Sequence, residues 1–126
     1  MSEPAQVSPG ASRFIEDMAT QGVQVSIDGA RLLYRVKAVS GALNGQEVTT
    51  GVSVGEVHGW PLSPPHWIHL PDSVAFPETN SDATDCPPGW LRHSREFGFL
   101  DTSVPPALAW VRHVRGFISY AIAAAA

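Results

Sequence analysis

Seven of the chain's eleven prolines fall between His58 and Trp90, in "HGWPLSPPHWIHLPDSVAFPETNSDATDCPPGW". Proline fixes φ and removes a backbone donor, so this stretch cannot be a helix and must enter and leave any strand at defined points. Its one strand-like piece is "HWIHLP", entered through Pro64-Pro65. The same stretch carries the only cysteine, Cys86, between an acidic run and the Pro87-Pro88-Gly89 turn. A lone cysteine makes no internal disulfide, and the N-terminus has neither a basic nor an apolar signal region. A reducing cytoplasm is the expected compartment.

Regular elements are expected on either side. Residues 1–10 read as a flexible leader ending at Pro9-Gly10, and 11–126 as one domain. "ASRFIEDMATQG" is a short amphipathic helix, with Phe14, Ile15 and Met18 on one face and Gly22 as its stop. "VQVSI" alternates, Asp28-Gly29 turns the chain, and "RLLYRVKAV" puts Leu32, Tyr34 and Val36 on one side, Arg35 and Lys37 on the other. Asn44-Gly45 marks a second turn before "QEVTTGVSVGEV". Periodicity disappears from Pro71 to Asp101. Trp90, Phe97 and Phe99 imply that this long segment is packed. A helix closes the chain, capped by Thr102 or Ser103, opened by Pro105 and Pro106, with Leu108, Val111, Val114, Ile118 and Ile122 as its apolar stripe.

Thus the predicted architecture is α+β: an N-terminal helix, an antiparallel four-strand meander, a long ordered loop and a C-terminal helix. Charged residues make up 16% of the chain and hydrophobic ones 44%, as in a globular protein. The net charge of −4 and the scattered basic residues exclude a nucleic-acid binder with a clustered basic patch. No apolar run reaches the length of a membrane span.

This order resembles the ubiquitin-conjugating (E2) fold, particularly the compact bacterial E2-like families. Trp60-Pro61 stands where those families have an aromatic-proline pair. Pro64-Pro65 matches their Pro-Pro step, and Cys86 lies about twenty residues beyond it, at the separation of their thioester cysteine. "SVPPALAWVRHV" is similar to their helix after the active site. The resemblance implies that Cys86 carries a ubiquitin-like protein as a thioester and passes it to an amine. It also implies an E1-like adenylating partner, docking near Arg13, Glu16 and Asp17, and a setting often linked to phage defence. The His-Pro-Asn tripeptide of eukaryotic E2s is replaced by "PETNSDATDC".

Chemistry then nominates partners for Cys86. Asp85 and His93 are candidates for proton transfer; Asn80, His69 or a loop amide are candidates for the oxyanion. Asp82 and Asp85 should raise the thiol pKa, whereas Arg92, His93 and Arg95 should lower it. Bland readings stand beside these: a small buried thiol, a packed strand histidine, a turn asparagine. No cofactor is expected. A zinc set of His66, His69, Cys86 and His93 matches no compact motif. A non-catalytic E2 fold that only docks a ubiquitin-like protein is the alternative function.

Overall fold

The computed structural model describes residues 8–77, 80–97 and 103–124. The proposed leader up to residue 7, together with Phe99 and Thr102, lies outside these. Helix α1 (Pro9–Thr20) starts two residues earlier than the sequence suggests. Ser8 is its cap, its side chain accepting from the Ala11 amide at 3.1 Å, and Pro9 takes the first turn, where its missing donor costs nothing. Pro9-Gly10 therefore belongs to the helix. Gly22 adopts φ +75 just past the helix end, as expected of a stop signal.

Strands β1 (Ser26–Asp28), β2 (Arg31–Lys37), β3 (Glu47–Ser53) and β4 (Trp67–Pro71) follow in order. Two additions were hidden in the aperiodic segment: β6 (Ser81–Asp82) and β7 (Trp90–Ser94). The antiparallel sheet therefore has six strands, ordered β1-β2-β3-β4-β7-β6, rather than four. β5 (Val74–Ala75) pairs separately with β8 (Ala123–Ala124). The last helix, α2, spans Pro106–Ile118. Pro105 occupies its cap position with no side-chain cap, so Ser103 does not serve as one. Ile122 falls outside the helix and is exposed, which removes it from the apolar stripe.

Both helices cover one face of the sheet. Register places Leu32 opposite Val52, Tyr34 opposite Thr50 and Val36 opposite Val48, all buried. Phe14 meets Tyr34 and Trp60 edge-on, and Phe117 stacks on Phe76 with centroids 4.3 Å apart. The Trp110 indole donates to the Tyr34 hydroxyl at 2.8 Å, satisfying two polar groups inside the core. Period-2 geometry sends Arg31, Gly51, Ser53, Trp67, His69, Trp90 and Arg92 to the opposite face. No helix among the described residues covers that face.

Candidate functional site

A sheet face without helices is normally wet, yet His69 there is 0% exposed and Arg31 only 4%. The cover is built by side chains reaching across strands. Arg31 lies on β2 and Trp90 on β7, with β3 and β4 between them. Their side chains nevertheless meet, the guanidinium lying 4.5 Å from the indole centroid. Gly51 leaves the space below: a Cβ there would sit 2.6 Å from Leu33 Cδ2 and 2.7 Å from the Leu32 carbonyl oxygen. A second stack, Arg92 over Trp67 at 4.0 Å, lies on the other side of His69. Arg92 also grips Asp82 at 2.7 Å. This holds the Asp82 carboxyl well below its usual range, through that bond first and the Thr84 amide second.

The Asp82 carboxylate accepts from the Thr84 amide at 2.8 Å, and the Cys86 amide donates to the Ala83 carbonyl at 3.0 Å. The Trp90 amide donates to the Pro87 carbonyl at 3.2 Å, so turns brace the loop on both sides of the cysteine. Asp85 takes φ 61, a left-handed conformation that costs a side-chain-bearing residue about 1–2 kcal/mol and that aspartate, like asparagine, tolerates better than most. That strained turn delivers Cys86 and Asp85 onto the sheet together.

There they close a ring of contacts. Cys86 Sγ lies 3.5 Å from His69 Nδ1. His69 Nε2 lies 3.2 Å from Ser53 Oγ, and Ser53 Oγ donates to Asp85 Oδ2 at 3.0 Å. The protons can be assigned. An ionised carboxylate only accepts, so the single Ser53 proton points at Asp85. Ser53 must then accept from His69 Nε2–H, which leaves Nδ1 as a lone pair facing the thiol. Burial, followed by the charge of Arg31, lowers the His69 pKa from 6.5 to about 4, so the imidazole is neutral at pH 7. Burial also pushes the Cys86 thiol up. Arg31 and Arg92 oppose that rise, while Asp85 and Asp82 add to it. The resting pair is therefore a thiol hydrogen-bonded to a neutral base.

Of the predicted site residues, the structure gathers Cys86, Asp85 and His69. His69 turns Nδ1 toward the thiol, and Asp85 reaches its other ring nitrogen through Ser53. His93 is not brought to Cys86. It sits in register with Ile68 on the helix-covered face, tilted against Phe76 and Phe117. Its neighbour in sequence, Arg92, points to the site instead. Arg95 lies over Phe117 and Tyr120, away from the thiol. Asn80 is exposed, and its carbonyl accepts from the Ser94 amide at 2.8 Å, which anchors the β6–β7 hairpin. Among the described residues no three His, Cys, Asp or Glu side chains are grouped to hold a metal ion. Ser53 and Arg31 went unnoticed in the sequence. The one local signal was Gly51, a glycine inside a strand and thus a point of close approach.

Comparisons of the chain with protein-family models, with curated proteins and with solved structures returned no match. No helix among the described residues is long and apolar enough to cross a membrane.

Proposed function

We propose that the chain is an E2-like carrier, holding the C-terminal acyl group of a ubiquitin-like protein on Cys86 and passing it to an amine. One observation carries this reading: a nucleophilic sulfur faces the free lone pair of a fixed, neutral imidazole, on a loop open to large partners. Ala83, Thr84, Asp85, Pro87, Pro88 and Gly89 are all exposed around it. A small-molecule enzyme would need an enclosing pocket; two protein tails need open ground. The element order also supports the reading. A first helix, sequential antiparallel strands, a Pro-Pro step, a cysteine loop and a proline-opened helix follow one another, with the β6–β7 hairpin as an addition.

In loading, His69 Nδ1 takes the Cys86 proton as Sγ attacks the carbonyl carbon of an E1-bound thioester. The carbonyl π pair moves to oxygen. It returns as the E1 sulfur leaves, and that sulfur receives the proton. In discharge an amine attacks the Cys86 thioester and Sγ departs. A neutral His69 can accept the proton that the amine sheds. For the E1-like partner, Arg13 and Glu16 remain exposed on α1. Asp17 is already engaged, by Arg13 at 3.0 Å and by the Trp60 indole at 2.9 Å, so it serves the fold first.

The test is incubation with a cognate E1-like enzyme, its ubiquitin-like protein and ATP. The expected product is an adduct on Cys86 that thiol reagents remove and Cys86→Ala abolishes. A stable non-covalent complex with no such adduct would instead support the docking module.

A further inference from the structure

Arg31 is an arginine whose fork is only half used. Nη2 binds Asp28 at 3.2 Å, and Asp28 is itself 60% exposed. The guanidinium carbon lies 4.5 Å from the Trp90 ring centroid. Nη1 is buried and has no hydrogen-bond partner among the described residues. Leaving a buried charged donor unmatched is costly, and native proteins rarely do so without a use for it. This donor belongs to the side chain that reaches from β2 to Trp90 on β7, across the two strands that carry Ser53 and His69, and its charge acts on both His69 and Cys86. Arg92, the other nearby cation, is different: it makes two bonds to Asp82 and stacks on Trp67.

We propose that Arg31 Nη1 holds an anionic oxygen that appears next to the sulfur of Cys86. Building on the carrier reading above, that oxygen is the oxyanion of the tetrahedral intermediate. Sγ bonds to the carbonyl carbon, the π pair becomes the charge on oxygen, and the same pair re-forms the carbonyl as the leaving group departs. Charge balance at the sulfur supports this. The influences of Arg31 and Arg92 on the thiol exceed those of Asp85 and Asp82, and the Asp82 charge is matched by Arg92. Among the loop residues first considered, Asn80 is spent on the hairpin through its backbone. The group that answers the need comes from a different strand, 55 positions before the cysteine.

Alkylation of Cys86 tests this without any partner protein. The Cys86 thiolate attacks the methylene carbon of either iodoacetate or iodoacetamide and iodide leaves, so their rate ratio cancels changes in thiol pKa and reports how the surroundings receive a negative oxygen beside the sulfur. Arg31→Gln should lower the iodoacetate-to-iodoacetamide ratio by about tenfold, the size of one charge-assisted hydrogen bond. Arg31→Lys should lower it less, and Asp28→Asn, at an exposed position, should raise it. The proposal is overturned if the ratio is unmoved in Arg31→Gln. If that variant does not fold, an unmoved ratio in Asp28→Asn overturns it. A ratio that falls in Arg92→Gln and not in Arg31→Gln also overturns it. Thioester loading reports separately. A charge-sensitive ratio with no adduct sinks the carrier reading alone; an adduct with an insensitive ratio sinks the role of Arg31 alone.

Discussion

Removing the Ser53 hydroxyl puts a number on the ring of contacts around Cys86. In Ser53→Ala the His69 Nε2–H loses its acceptor in a place water does not reach, since Ser53 is 5% exposed and His69 0%. An orphaned buried donor costs roughly 1–3 kcal/mol. Asp85 loses a donor too, but it is exposed and recovers water, adding little. The expected loss of stability is thus about 1–3 kcal/mol, arising mainly at His69. A double-mutant cycle isolates that origin. In a His69→Phe background there is no Nε2–H to strand, so Ser53→Ala should cost about 1 kcal/mol less or better. Urea denaturation of the four proteins, with a common slope, supplies the coupling energy. Two sites that merely share a sheet face would be additive to within about 0.3–0.5 kcal/mol. Additivity of that kind, or a single-variant cost near zero, would refute the assignment of protons along Asp85, Ser53 and His69.

Other perturbations read different parts of the molecule. Burial lowers both His69 and His113 from 6.5 to about 4; between those values the unfolded chain binds more protons than the folded one. Stability should therefore fall as pH drops from 6.5 toward 4, by on the order of 2 kcal/mol at pH 5 from the fully buried His69 and by less from the partly exposed His113, and a urea midpoint that is flat across this range would contradict it. Because the thiol is pushed up, Cys86 alkylation should keep accelerating through pH 9; a plateau near neutrality would show a preformed thiolate. Trp110→Phe strands the buried Tyr34 hydroxyl and should cost about 1–3 kcal/mol in urea, against little change if that bond is idle. Gly51→Ala forces a Cβ against the Leu32 carbonyl and should lower the thermal midpoint while disturbing the packing under Arg31, seen as faster Cys86 alkylation; an unchanged protein would show that the close approach is not there.

The first half of the fold was legible because β2 keeps Leu32, Tyr34 and Val36 on one side and its turns are written in Asp28-Gly29 and Asn44-Gly45. β7 was not legible, since Trp90 and His93 exchange the sides their polarity suggests. Trp90 points out, held by Arg31, while His93 points in toward Phe117. A reader of "WLRHS" assigns those two the other way round. The same inversion misplaced His93 in the site. Cys86, Asp85 and His69 could be named because their types carry chemistry, but the chain of contacts that joins them could not. It depends on Ser53, an ordinary strand serine whose value arises from register and from one strained turn at Asp85. Arg31 was invisible for a similar reason: nothing local shows that a residue at the start of β2 reaches across two strands.

The arrangement of protons on His69 is the point on which the chemistry turns, and nitrogen NMR of its ring observes it directly. With labelled imidazole at pH 5 to 8, the ring should show a protonated Nε2 and an unprotonated Nδ1 throughout. Cys86→Ala should change the Nδ1 signal and leave Nε2 protonated. A ring carrying its proton on Nδ1, or one that becomes doubly protonated near pH 6.5, would contradict that arrangement.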